Sequence, residues 1–158
     1  MGSHPYSVVF APGGRSVRIR AQRGKSDLLL RIKHDYSITA IDGSRDRYDA
    51  VTIAYSYHLY DLQGSELIAF HWHPTGVSPV TYPHLHLTSR VRPFEIDDPT
   101  HPNWQPALIS FSDMHIPTGP ILLENVVRLL IDEFGVVPLR PDWDEILLRN
   151  EALLRSND

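Results

Sequence analysis

The sequence predicts an α+β protein, an antiparallel meander sheet of four to five strands covered by helices from the C-terminal part of the chain. Three observations carry this. Apolar residues alternate with a period of two from Ser16 to Thr88, helical periodicity is confined to the stretch after Pro120, and short Gly, Asp and Ser turns separate the alternating runs. The 158 residues read as a single domain, 1–158, a length at which one core buries roughly two thirds of the unfolded surface. Within it, residues 92–120 are a Pro-rich excursion and 120–158 hold the helices. The opening Met-Gly-Ser-His at 1–4 resembles an expression leader, so His4 carries no functional weight.

Ser16 to Gln22 sets Val17, Ile19 and Ala21 against Arg18, Arg20 and Gln22, a half-buried strand that Gly24 to Asp27 then turns. Leu28 to Ile41 is a second strand, or a strand with a bulge, interrupted by Lys33, His34 and Asp35 and ended by Asp42-Gly43-Ser44. From Tyr48 to Asp61 one face carries Val51, Ile53, Tyr55, Tyr57 and Leu59, and the other Thr52, Ala54, Ser56, His58 and Tyr60. Leu62-Gln63-Gly64-Ser65 makes a hairpin into Glu66 to His73. After the connection Pro74 to Pro83 comes a short strand, Tyr82 to Thr88. Six prolines between Arg92 and Pro120 exclude long helices there. The first helix is expected to start after Thr118-Gly119-Pro120, with Thr118 or Gly119 as N-cap, and to end at Gly135. A second starts near Pro141-Asp142-Trp143.

Composition narrows the chemistry. The absence of cysteine excludes disulfides, thiolate catalysis and cysteine-ligated zinc. No apolar run approaches the roughly 20 residues of a membrane helix, and no secretory pattern opens the chain, so a cytoplasmic location without a membrane partner is expected. Net charge is −4, unlike a strongly basic nucleic-acid binder. The first 33 residues are nevertheless basic, through Arg15, Arg18, Arg20, Arg23, Lys25, Arg31 and Lys33, and could meet phosphates or an acidic partner, although solvated strand faces explain the same residues.

Seven of the nine histidines lie between His58 and His115, and four of them form the pairs His71-Trp72-His73 and His84-Leu85-His86. Residues two apart on a strand share a face, so each pair projects two imidazoles together and sends Trp72 or Leu85 the other way. If the two strands are neighbours, four imidazoles share a patch. Two histidines can divide general-base and general-acid work on a phosphodiester without a metal, with Arg90, Arg92 or an N-terminal arginine stabilising the charge. Alternatively, His84 and His86 with a third group such as His71, His73 or His115 could bind zinc, iron or nickel. Solvent-facing, hydrogen-bonded histidines are the plain alternative to both. A glutamate and glycine pattern of the cupin type does not follow the H-x-H pairs. His115 before Thr118-Gly119 could help hold an anion at a helix start, but simple capping is the better explanation of these residues.

From Tyr55-Ser56-Tyr57-His58-Leu59-Tyr60-Asp61 through Leu67 to Trp72, Pro83-His84-Leu85-His86 and the helix Leu122 to Phe134, the chain resembles the TumE family of bacterial toxin–antitoxin proteins. The similarity spans about residues 48–89 and 121–134. Where that family has Asp-Asn after the aromatic residue, this chain has His71-Trp72, so the family pattern carries over to His84 and His86 alone. The resemblance implies a toxin acting on a cellular target such as RNA and silenced by a cognate antitoxin. Three expectations stand side by side. The first is a TumE-like, metal-independent endoribonuclease that requires no cofactor, with His84, His86, His71, His73 and Arg90 as catalytic residues. The second is a non-catalytic protein-interaction module. The third is a protein holding a divalent transition metal on His84, His86 and His73. A homodimer is compatible with each.

Overall fold

Each alternating run becomes a strand in the computed structural model, which describes residues 5–10, 13, 15–21, 27–41, 48–87, 94–96, 100 and 107–155. In chain order the elements are β1 (Tyr6–Phe10), β2 (Val17–Ile19), β3 (Leu28–Ala40), β4 (Tyr48–Tyr60), β5 (Glu66–Trp72), β6 (His84–Leu87), β7 (Phe94–Ile96), β8 (Ala107–Ile109), β9 (Ile116–Pro117), α1 (Leu123–Asp132) and α2 (Trp143–Arg155). The main sheet runs β1-β3-β4-β5-β6-β9, with β2 also on β3, and every pairing is antiparallel. The α+β class and the meander from β3 to β6 agree with the sequence reading. The sheet has seven strands instead of four or five, because β1 and the two-residue β9 pair at its edges. Segments this short carry too little periodicity to be read as strands without a partner.

The two faces of the sheet differ in chemistry. On one, Leu30, Ile32, Tyr55, Tyr57 and Leu59 form a buried cluster with Val126 and Leu130 of α1, and Phe70 and Trp72 pack against it. The Tyr55 and Tyr57 rings stack at 4.8 Å, and each phenol finds a partner. Tyr55 Oη accepts the Ile121 N–H at 3.0 Å, and Tyr57 Oη lies 2.5 Å from Nδ1 of His34, whose Nε2 meets Thr52 Oγ1 at 3.2 Å. The other face carries the polar residues of the same strands.

Turn chemistry holds the β4–β5 hairpin in register. Asp61 Oδ1 accepts the N–H groups of Gln63 (2.9 Å) and Ser65 (2.8 Å), and Gly64 adopts φ 82°, a conformation natural to glycine. The start of α1 differs from the expected Thr118 or Gly119 cap with Pro120 in the first turn. Thr118 N–H donates to Pro83 O at 2.9 Å, so the chain is still tied to the β6 side of the sheet there, and the N-cap falls on Leu122. Its end is as expected, with Gly135 at φ 66°. Arg128 faces α2, with its guanidinium 5.8 Å from the Trp143 ring and ion-paired to Asp144 and Glu151. The excursion returns through the β7–β8 pair and a 3-10 turn at Phe111–Asp113 that packs beside β6. Among the described residues, no helix is long and apolar enough to cross a membrane.

Candidate metal centre

Antiparallel register decides which histidines meet. His71 of β5 is directly opposite His84 of β6, and Ala69 is opposite His86. The pleat sends Phe70, Trp72 and Leu85 to the apolar face and leaves the imidazoles on the polar one. His58 of β4, opposite Ala69, joins from the other side. His115, arriving just before β9, completes the group from the end of the Pro-rich excursion.

These rings are contiguous. His71 lies 5.6 Å from His84 and 5.0 Å from His86 between ring centres, and His84 and His86 are 4.9 Å apart. One ring nitrogen from each of the three falls within 4.8 Å of the others. A tetrahedral zinc with Zn–N bonds of about 2.0 Å needs nitrogens roughly 3.3 Å apart, so small ring rotations would close the triangle on an ion. His115 is 4.6 Å from His86 and 5.1 Å from His84, at the exposed rim. His73 is 5.8 Å from His71 and flanks the triangle without joining it.

Hydrogen bonds assign the free lone pairs. Nδ1 of His84 donates to the Tyr82 carbonyl at 2.8 Å, leaving Nε2 as its basic nitrogen. Nδ1–H of His58 donates to Oε2 of Glu66 at 2.8 Å, which makes His58 Nε2 an acceptor; it lies 3.3 Å from His71 Nε2. With His58 in its neutral form, His71 donates from Nε2 and keeps its lone pair on Nδ1. A carboxylate, a first imidazole and a second imidazole thus form one oriented chain.

Burial and like neighbours disfavour the charged form of His71 and His73. The His71 pKa is pushed down to about 3, first by desolvation and then by His58, His86, His84 and His73. Burial also lowers His73, with Lys33 the next contributor. His84 is the most buried of the three, 4 % exposed. Neutral imidazole is the ligand form for zinc, iron or nickel.

Of the residues singled out from sequence, His71, His84 and His86 come together and His73 adjoins them. Arg90 and Arg92 lie outside the described residues. Sequence reasoning placed His58 on the polar face with Ser56 and Tyr60 but gave it no role, and it passed over Glu66 and the Tyr82 carbonyl. The signal for His58 was available, since a short Asp61–Ser65 turn pairs the end of β4 with the start of β5. No protein-family model matches the chain, and no curated protein or solved structure is significantly similar to it.

Proposed function

We propose that the chain is a metalloprotein that holds a divalent transition ion, zinc by preference, on His71, His84 and His86, and that the centre serves hydrolysis. The observation that carries this reading is the triangle of three imidazole nitrogens within 4.8 Å of one another. Three neutral histidines are the ligand set of an open catalytic zinc site, in which the ion polarises an oxygen of the substrate or activates water. The three imidazoles are half-buried or buried and contiguous, with Glu66 reaching them through His58, an arrangement suited to an ion. His84 and His71 are oriented by the Tyr82 carbonyl and by the Glu66–His58 pair, the outer support that metal-ligating histidines usually have.

The test is calorimetric titration of zinc into the EDTA-treated chain, carrying no polyhistidine tag, beside a His84→Ala, His86→Ala variant whose circular dichroism matches the wild type. Saturable binding at one ion per chain in the wild type alone is expected. Equal binding by both proteins, or binding by neither, overturns the centre.

A second reading keeps the TumE resemblance and is favoured by the Glu66–His58 pair, a carboxylate-oriented imidazole of general-base type beside His71. Under it the chain is a toxin that cleaves RNA without a metal and is silenced by an antitoxin. Growth arrest on induction, with RNA cleavage that persists in EDTA and is lost in the same double variant, would favour this second reading over the metal centre.

A further inference from the structure

The row of paired residues that contains the centre continues across the sheet. Lys33 of β3 is opposite Ser56 of β4, Ser56 is opposite His71, and His71 is opposite His84, one line across four strands. In the neighbouring row Arg31 is opposite His58, and its guanidinium lies 5.5 Å from the Tyr60 ring. Strands are about 4.8 Å apart, so Lys33 starts two strands, roughly 10 Å, from His71, and its long side chain lies on the same face as the imidazoles.

A pocket of about 490 Å³ opens here, lined by Tyr6, Lys33, Asp35, Ala54, His73 and Thr75 among others. That volume is typical of small-molecule sites. His73 belongs both to this pocket and, at 5.8 Å from His71, to the flank of the histidine cluster. The charges in it are ordered. Asp35 accepts from Lys33 Nζ at 2.8 Å and from the Ser7 hydroxyl, and its carboxyl is held below its usual range. One ammonium N–H of Lys33 is thereby spent, and the ammonium has others to offer.

We infer that this pocket is the substrate site of the histidine centre, and that its substrate is a small molecule bearing an oxyanion, phosphate or carboxylate, held by Lys33, His73 and the Thr75 hydroxyl. The inference rests on the metal-centre reading for the word substrate, but the anion site stands on its own residues. Lys33 and Thr75 are the groups that bind and orient the anion. The half of the wall formed by Tyr6, Ala54 and Ile53 takes the apolar remainder of the ligand.

The test uses the full, EDTA-treated chain and two probes in separate titrations, inorganic phosphate and acetate, read from the histidine ring signals by NMR. The His73 signal is expected to shift and saturate with at least one probe, and the stronger of the two identifies the anion. Lys33→Met is expected to weaken that binding about tenfold or more, as loss of a charge-assisted hydrogen bond implies, with the remaining ring signals in place. Thr75→Val provides a second variant, also expected to bind more weakly. No saturation with either probe, or unchanged affinity in both variants, overturns the anion site. A zinc titration on a third sample reads His71, His84 and His86. Zinc without anion binding sinks the pocket and leaves the centre, whereas anion binding without zinc sinks the centre and leaves an anion site.

Discussion

Glu66 touches none of the three candidate ligands, yet it orients one of them. Its carboxylate fixes His58 with Nδ1 protonated, and His58 in turn makes His71 donate from Nε2 and present Nδ1. Replacing Glu66 by Gln keeps the shape but lets the amide present N–H instead of an acceptor, so the relay loses its direction. Such outer partners typically contribute 10- to 100-fold in metal affinity. The Glu66→Gln chain is therefore expected to bind zinc about 10- to 100-fold more weakly than wild type, with an unchanged urea midpoint, and Glu66→Asp to recover part of the loss. Affinity unchanged in Glu66→Gln would show that His71 is oriented by something else. His84 depends on a backbone carbonyl for the same service, so no side-chain substitution removes it, and the two ligands are supported by independent means.

Two hairpins and one turn set the spacing of everything on the polar face. The β3–β4 pair aligns Lys33 with Ser56, and the β4–β5 pair aligns Ser56 with His71. A slip of one residue would send the whole row to the apolar side. Asp61 guards against this at the β4–β5 turn by accepting two backbone N–H groups while itself 9 % exposed. Asp61→Ala leaves both donors without their acceptor. It is expected to cost about 1–3 kcal/mol in urea unfolding and to weaken zinc binding through register, whereas Asp61→Asn, which retains a carbonyl oxygen, should cost less. A variant as stable as wild type would mean that Gly64 and the strand ladder suffice. Legibility at this scale followed length. The 13-residue strands β3 and β4 were readable from alternation, and the two-residue β9 was not. The same shortness hid the tie from Thr118 to Pro83, which displaces the cap of α1.

Gathering so many imidazoles on one face has a consequence for the stability of the whole molecule. Folded His71 does not take a proton until the pH falls to about 3, whereas the unfolded chain takes it near 6.5, and burial lowers His73 and His34 in the same direction. Below pH 6.5 the unfolded state binds more protons, so stability falls as the pH falls; above it these groups are neutral in both states and contribute no slope. Asp35, whose pKa is lowered from 3.8, adds to the loss at the acid end. The urea midpoint of the metal-free chain is expected to drop steadily from pH 6.5 towards about 4.5, and to drop less in His71→Gln. A flat profile, or one that His71→Gln leaves unchanged, would mean that the cluster is better solvated than its burial implies.

What the sequence determined by itself is local. Period-two alternation defined β3, β4 and β5 and sorted their residues between faces from Tyr55 onward, whereas a bulge beside Asp35 and Tyr36 inverts it before Tyr55, putting Thr52 towards His34 and Ile53 beside Ala54; Gly135 ended α1, and the H-x-H spacing guaranteed that His71 and His73, and His84 and His86, project in pairs. Pairing between strands is a long-range event, and no spacing within one strand encodes it. Only the tertiary structure set His71 opposite His84, brought His58 with Glu66 from β4 and β5 and His115 from the far end of the excursion, and ran Lys33 into the same row. Strand alternation states which side a residue takes; register, fixed by turns and by burial of the opposite face, decides which residues on that side meet.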